Sequence, residues 1–224
     1  MTSNDRALAQ SAPTQLAQPQ KALLCARDVA KRFGTRAVFR DLNFDISQGA
    51  VVAVVGRNGA GKSTLLQMVA GLERPSRGEI EWRDQDGQSW KNNDLRLLCG
   101  LAASDAPHPR ELSVLENLEF SARVRGLSTR NDELLAHLET FGIKERAGDL
   151  SGALSSGLRA RLGLALATWH CPPILLLDEP SANMDEAGRD ITLRVLQQQR
   201  ARGIALVATN DKREAAWCDA RLEL

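Results

Sequence analysis

The sequence predicts an α/β fold built around a mostly parallel β-sheet. Four short apolar runs are typical of strands buried on both faces, at residues 51–55, 95–101, 174–177 and 204–208. The first run leads into a segment whose apolar residues, 65, 66, 68 and 69, recur at helical spacing. A buried strand followed directly by a helix is the repeating unit of a parallel sheet covered by helices.

A glycine-rich loop joins that first strand to its helix. Residues 56–63 read G-R-N-G-A-G-K-S and match G-x-x-x-x-G-K-[ST] at every specified position. The three glycines permit backbone conformations that a Cβ disfavours, so that N–H groups can converge on phosphate at the positive end of the helix. The candidate residues for binding ATP in this loop are Gly56, Asn58, Gly59, Ala60, Gly61, Lys62, Ser63 and Thr64.

Two side chains of the loop have a more specific predicted role. Lys62 would reach the β- and γ-phosphates as a point charge, and the Ser63 hydroxyl would hold Mg²⁺. The alternative is a chance glycine-rich turn, which the strand before the loop and the helix after it make improbable. The motif therefore predicts a nucleoside triphosphate site.

The apolar run 174–177 ends in two acids, Asp178 and Glu179. The carboxyl ends of parallel strands are where open sheets bind ligands. There Asp178 can hold the magnesium ion, while Glu179 orients or deprotonates an attacking water. A solvated acidic turn is the alternative, and it is disfavoured in a chain that also carries a phosphate-binding loop.

Composition limits the classes of partner. The 224 residues carry a formal net charge of +1, which gives no electrostatic case for nucleic acid. Four scattered cysteines without a C-x-x-C pair predict free thiols in a reducing cytosol. No apolar run approaches the roughly 20 residues of a membrane-spanning helix, so we expect any membrane role to come through a partner.

The N-terminal part predicts a tail and then a small antiparallel sheet. Residues 1–20 lack periodicity and predict a disordered tail, with a single domain over residues 21–224. Apolar and polar residues alternate at 22–29 and 37–46, around a predicted turn at 31–34. Phe33 in that turn could stack on adenine, although a loop phenylalanine more often packs against its own domain.

The middle of the chain predicts an inserted helical subdomain, approximately residues 105–167. After a strand at 79–83 and a polar, turn-like stretch at 85–93, Ser113 and Glu116 form a predicted capping box. A further helix is predicted at 131–141. The Ser/Gly clusters at 151–157 open another helix and suit either an anion or ordinary capping, and capping is the commoner case. Asp185 is expected to begin a helix that Gly203 ends.

With the phosphate loop, L-S-S-G-L at 154–158 and L-L-L-D-E-P at 175–180 in this order, the chain resembles the ATPase subunit of ATP-binding cassette (ABC) transporters. The resemblance covers about residues 22–224 and implies that Phe33 stacks on adenine. It implies a head-to-tail homodimer, or a heterodimer with a related ATPase, in which Ser155 and Gly157 cap the γ-phosphate bound by the opposite subunit. Residues 181–185 would couple the two sites. It also implies an integral membrane permease as partner and a cytoplasmic location at the inner face of the membrane.

Three positions depart from the family pattern. The family usually has Gln at Leu158, Gln near Ser104 or Asp105, and a switch histidine at Asn210. Asparagine can donate and accept hydrogen bonds but cannot take a positive charge or transfer a proton as histidine can. Because the phosphate-loop and acidic residues are intact, we expect ATP hydrolysis in which Asn210 takes part, at a rate that these departures could lower.

The alternatives to a transport ATPase are a regulatory nucleotide-binding subunit with little turnover and a soluble ABC ATPase of cofactor assembly. The small size and brief C-terminal segment also resemble the haem-exporter ATPase of bacterial cytochrome c maturation, a likeness that rests on motifs common to all ABC ATPases.

Overall fold

The computed structural model describes residues 22–103 and 108–224, which form two β-sheets with helices packed around the second. The predicted tail and the positions Ser104 and Asp105 lie outside the described residues. The strands are β1 Leu23–Phe33, β2 Arg36–Ser47, β3 Val51–Val55, β4 Arg77–Arg83, β5 Ser89–Lys91, β6 Cys99–Ala103, β7 Ile174–Asp178, β8 Ile204–Ala208 and β9 Ala220–Glu223. The α-helices are α1 Lys62–Val69, α2 Val114–Val124, α3 Asn131–Thr140, α4 Ser156–Thr168, α5 Glu186–Arg202 and α6 Lys212–Ala216.

The first sheet has the order β2-β1-β4-β5, and every neighbouring pair is antiparallel. The predicted turn at 31–34 was wrong over its first three residues, which belong to β1. Phe33 pairs with Arg36, so only Gly34 and Thr35 form the loop of the hairpin. Gly34 has φ 57°, a conformation that two-residue hairpin loops require and glycine adopts readily.

The second sheet has the order β6-β7-β8-β3-β9 and is parallel throughout. Its apolar strands confirm the predicted α/β class. The predicted strand at 95–101 was wrong at its start, because a 3₁₀ helix, Asn92–Leu97, precedes β6. Leu95 is buried and Leu97 is 72% exposed, so the two leucines point to different sides of a helical turn.

In the middle region the structure adds one short strand and confirms two predicted helix caps. The polar stretch predicted as a turn at 85–93 contains β5, which pairs with β4 and sets Trp90 opposite Trp82. The capping box of α2 is confirmed: Glu116 N donates to Ser113 Oγ, and Ser113 N donates to a Glu116 carboxylate oxygen at 2.7 Å. Asp185 caps α5 as expected.

The second sheet separates two apolar cores. Alternate residues of β7 pack to opposite sides: Ile174 and Leu176 pack with α1 and the first sheet, while Leu175 and Leu177 pack with helices α2 to α5. This burial on both faces holds the strand rigidly and leaves its carboxyl end, Asp178, at the edge of the sheet. None of the helices in the two described ranges is long and apolar enough to cross a membrane.

Candidate functional site

The phosphate-binding loop runs from β3 into α1, as the sequence predicts. Gly59 and Gly61 have φ of 79° and 103°, a region that residues with a side chain rarely adopt. A Cβ on Gly61 would lie 2.3 Å from Val38 Cγ1 and 3.0 Å from the Phe39 ring. The loop is therefore glycine-rich for two reasons, backbone conformation and direct contact with strand β2 of the first sheet.

The loop presents unused hydrogen-bond donors. Within the described chain, the backbone N–H groups of Gly59, Gly61, Lys62 and Ser63 donate to no protein acceptor, while Ala60 N donates to Arg57 O at 3.0 Å. These donors lie at the N-terminus of α1, where the helix dipole favours an anion. The arrangement fits a phosphate group.

Lys62 is 7% exposed, and its ammonium is held by acceptors from two parts of the site. Lys62 Nζ donates to the carbonyl oxygen of Gly56 at 3.1 Å and to Asn210 Oδ1 at 3.0 Å. Both acceptors are uncharged. The structure shows no carboxylate within ion-pair distance of Lys62 in the described residues, so its charge remains available to a phosphate.

The two acids follow β7 as predicted. Asp178 pairs in register with Ala208 of β8, and the chain turns sharply at Glu179, which has φ 47°. Glu179 N donates to Ala208 O at 2.8 Å, and this bond fixes the turn against the next strand. The exposed Glu179 side chain therefore leaves the sheet at a defined place, beside the segment that follows β8.

Asn210 joins the phosphate loop to the acids. Its Nδ2 donates to Asn58 Oδ1 at 2.7 Å and to Glu179 Oε1 at 3.2 Å, while its Oδ1 accepts from Lys62. The amide thus uses both donor hydrogens and its acceptor oxygen within the site. The side chain of Asn210 brings together Asn58 and Lys62 of the phosphate loop and the acid Glu179.

The residues present fit a magnesium ion that takes most of its ligands from water and phosphate rather than from the protein. Ser63 is exposed at the start of α1, which packs against β7, and the Asp178 carboxylate accepts no hydrogen bond from the described chain. No cluster of three metal-ligating side chains occurs among the described residues. Magnesium binds in this way elsewhere, through one or two protein oxygens together with water and phosphate oxygens.

Phe33 is the last residue of β1, and its side chain is exposed rather than packed in a core. Lys31 Nζ lies 4.7 Å from the centroid of the Phe33 ring, within the range of a cation–π contact. The ammonium is also fixed by Glu73 Oε1 at 2.6 Å and by Arg74 O at 2.8 Å. An exposed, oriented aromatic ring at this position is suited to stacking, which supports the predicted role.

Ser155 and Gly157 lie apart from the phosphate-loop contacts. Leu158 N donates to Ser155 Oγ at 3.3 Å, so Ser155 caps α4, the commoner of the two interpretations. A Cβ on Gly157 would lie 2.9 Å from Asn183 O, which places the start of α4 against the loop after Glu179. In the described chain, neither Ser155 nor Gly157 forms a hydrogen bond with the phosphate loop.

Glu214 is a buried carboxylate on α6, 2% exposed, that no sequence pattern predicts to be functional. One of its oxygens accepts from Ser181 N at 2.9 Å and from Ser181 Oγ. Glu214 thereby ties the loop after Glu179 to the segment after Asn210. No local pattern distinguishes it from an exposed glutamate on a short helix, so only the fold reveals it.

A cavity of about 480 Å³ extends from Asp178 and Glu179 along α2. Asp178 and Glu179 line it, together with three side chains that are largely exposed: Leu97 (72%), Phe120 (50%) and Val124 (71%). Exposed apolar groups of this size in one place are typical of a surface that contacts another molecule.

A parallel sheet with a glycine-rich loop after one strand, and adjacent acids after another, defines a nucleotide-binding protein of the phosphate-loop class. The comparison with known families is more specific. Residues 39–182 match the model of the family described as ABC transporter. The chain belongs to this family.

Two curated relatives illustrate its range. The chain is 39% identical over 199 residues to the aliphatic sulfonates import ATP-binding protein 1 of Burkholderia lata, covering 88% of this chain and 59% of that protein. It is 33% identical over 192 residues to the cytochrome c biogenesis ATP-binding export protein 2 of Cupriavidus metallidurans, covering 85% and 90%. The chain thus spans about six tenths of the length of the import protein.

Solved structures share the fold. A putative ABC transporter ATP-binding protein of Pyrococcus furiosus aligns with TM-score 0.76 and 25% identity, covering 90% of this chain and 97% of that chain. A dimeric ATP-binding cassette in a post-hydrolysis state, bound to ADP and Pi, aligns with TM-score 0.80 and 23% identity, covering 90% and 94%.

Proposed function

We propose that this chain is the ATP-binding and hydrolysing subunit of an ABC transporter. The observation that carries the proposal is the hydrogen-bonded network of Lys62, Asn210 and Glu179 at the carboxyl edge of the parallel sheet. In this network the cation proposed to bind phosphate and the carboxylate proposed as the base lie on either side of one amide. Membership in the ABC transporter family supports the same function.

In the proposed reaction the loop N–H groups and Lys62 bind the β- and γ-phosphates of ATP. Ser63 and Asp178 would hold Mg²⁺, which would offset phosphate charge. Glu179 orients a water molecule and accepts its proton as the water attacks the γ-phosphorus, while the bond from that phosphorus to the β–γ bridging oxygen breaks and ADP leaves. Asn210 keeps Glu179 oriented with one amide hydrogen, and the hydrogen that it now donates to Asn58 could turn to the γ-phosphate when ATP binds.

The site is proposed to be shared between two copies of the chain. Ser155 and Gly157 have no hydrogen bond to their own phosphate loop, so a γ-phosphate contact from them is expected to come from a second subunit. The fold also aligns with a cassette whose structure is described as a dimer bound to ADP and Pi. Two copies, or this chain and a related ATPase, would enclose two ATP molecules head to tail.

The partner that uses the motion is proposed to be an integral membrane permease, with this chain at the inner face of the cell membrane. The cavity bounded by Leu97, Phe120 and Val124 supports this proposal, because its apolar mouth is continuous with the two acids of the site. An occupant there could sense the state of the nucleotide. We propose no nucleic-acid partner, in keeping with the net charge of +1.

The decisive experiment measures ATP hydrolysis by the purified chain and by Glu179→Gln, with ATP affinity measured in parallel. Loss of the base is expected to lower the rate by about 100-fold or more, while ATP binding persists. Glu223→Gln, an exposed glutamate on β9, is the matched control and should hydrolyse at the wild-type rate. Equal rates for Glu179→Gln and wild type would exclude Glu179 as the catalytic group.

A second candidate, a regulatory subunit with little turnover, is favoured by the departures at Leu158, Ser104 and Asn210, of which Asn210 has the clearest contacts. The amide occupies a Glu179 oxygen and a Lys62 donor at the same time, and it cannot transfer a proton as histidine can. Tight ATP binding by a dimer that never hydrolyses it would support this candidate. Steady turnover would exclude it.

A further inference from the structure

Arg36 is placed beside both parts of the proposed nucleotide site. It is the first residue of β2 and pairs across the hairpin with Phe33. A Cβ built on Gly59 of the phosphate loop would lie 3.8 Å from Arg36 Nη2. The guanidinium of Arg36 is therefore next to the phosphate loop. The residue paired with Arg36 across the hairpin, Phe33, carries the aromatic ring proposed to stack on adenine.

The guanidinium of Arg36 has no partner within the described chain: it is exposed and forms neither a hydrogen bond nor an ion pair. Some other arginines of the same sheet pair with carboxylates. Arg27 pairs with Asp45 at 2.6 Å, and Arg77 pairs with Asp41 at 3.6 Å. All five donor hydrogens of Arg36 thus remain free for an external acceptor.

Strand β2 is held firmly at this point. Val38 and Phe39 pack so closely on Gly61 that a single added carbon would overlap Val38. Because the strand rests on the loop, Arg36 starts from a backbone fixed relative to the phosphate site. Less conformational freedom is then lost when its side chain binds a ligand.

Even with Mg²⁺ bound, the charges of the site favour a second cationic side chain. Asp178 and Glu179 lie at the edge where the phosphates are proposed to bind, and a nucleoside triphosphate adds further negative charge. Lys62 contributes a point charge, whereas a guanidinium can bind two phosphate oxygens at once.

We propose that Arg36 binds the phosphate chain of the nucleotide as a second cation beside Lys62. This inference rests on the proposed function, because it requires ATP at the phosphate loop. It adds a residue from the first sheet, next to Phe33, to a phosphate-binding region otherwise built from the second.

The test compares the dissociation constant of Mg-ATP for wild type, Arg36→Ala and Arg36→Lys at a protein concentration low enough to keep the chain monomeric. Arg36→Ala is expected to weaken binding about tenfold, and Arg36→Lys less, because lysine keeps the charge without the fork. Arg40→Ala is the control: Arg40 is exposed on the same strand and is likewise without a partner in the described chain. It should bind ATP as wild type does.

The same titrations repeated at several salt concentrations separate a phosphate contact from an indirect effect on Phe33. Loss of a cation that pairs with phosphate makes affinity less sensitive to salt, whereas loss of stacking leaves the salt dependence unchanged. Wild-type affinity in Arg36→Ala, or weaker affinity with unchanged salt dependence, would overturn the inference while the proposed function stands. A wild-type chain that fails to bind ATP would instead refute the proposed function itself.

Discussion

At the residue scale, Asn210 determines how the candidate site is assembled. Its one side chain accepts a hydrogen bond from the buried ammonium of Lys62 and donates one to the Glu179 carboxylate. A group that only donates or only accepts could not form both contacts. The amide therefore links the phosphate-binding side of the site to its acidic side in a way that depends on its uncharged state.

Replacing Asn210 with aspartate tests this link. Asn210→Asp keeps an acceptor for Lys62 but loses both donor hydrogens and places a second carboxylate beside Glu179. We expect ATP hydrolysis to fall about tenfold or more, because like charges repel at this distance and Glu179 loses its orienting partner. Steady-state rates measured beside Asn131→Asp, an exposed amide on α3, check the effect. An unchanged rate in Asn210→Asp would show that the link does not matter.

Some residues of the candidate site can be predicted from the sequence, and others cannot. Lys62, Ser63, Asp178 and Glu179 were predicted from local motifs, since each lies at a fixed spacing from a strand or a glycine. Their roles stay predictions until measured. Glu214 was not found, because its function depends on a contact 33 residues away that no local pattern encodes.

At the element scale, buried strands were the most predictable part of the fold. The strands β3, β7 and β8 are apolar on both faces and match their predicted extents closely. The segment before β6 was mispredicted because an apolar run of this length fits a helical turn as well as a strand. Strand β5 was missed because it is three residues long with one apolar residue, Trp90, and is therefore too short for an alternating pattern.

Glu214 holds the loop after Glu179 against α6. Its removal should therefore affect the positioning of Glu179 and leave the binding of ATP unchanged. Glu214→Ala leaves the donors of Ser181 without their buried acceptor, which is expected to cost about 1–3 kcal/mol of unfolding free energy. The loop after Glu179 would then be less well held, so kcat should fall while KM for ATP stays near the wild-type value. Denaturant unfolding and steady-state kinetics measure the two effects.

Arg213→Ala, an exposed neighbour on the same helix, is the control for Glu214→Ala. It should change neither stability nor kcat appreciably. If Glu214→Ala alters stability alone and leaves kcat untouched, Glu214 is a structural residue with no part in positioning Glu179.

At the scale of the whole molecule, the parallel sheet separates two apolar cores, and His170, which follows α4, lies against strand β6 of this sheet. Its Nε2 is 3.2 Å from the carbonyl oxygen of Cys99 on β6, and its buried Nδ1 has no partner in the described chain. Burial, and to a lesser degree the charge of Arg125, lower the pKa of His170 from 6.5 to about 4. The folded protein therefore resists protonation of this ring.

This pKa predicts a loss of stability in mild acid. The unfolded chain binds a proton at His170 near pH 6.5 and the folded chain only near pH 4, so unfolding free energy should decrease as pH falls through that window. His170→Gln can still donate to Cys99 O and does not titrate, so its stability should depend less on pH. Burial also lowers the pKa of His137. The variant should therefore keep part of the pH dependence of the unfolding free energy. Identical pH profiles of denaturant unfolding for variant and wild type would contradict the prediction.

The central claim is that one chain supplies half of a shared ATP site, and the mass of the ATP-bound protein tests it most directly. The Glu179→Gln variant should bind ATP and hydrolyse it very slowly. Its mass is measured by light scattering with and without Mg-ATP. We predict the mass of a monomer without nucleotide and twice that mass with it, because Ser155 and Gly157 would then close over the phosphate of the other copy. A chain that is saturated with ATP and remains a monomer would contradict the shared site.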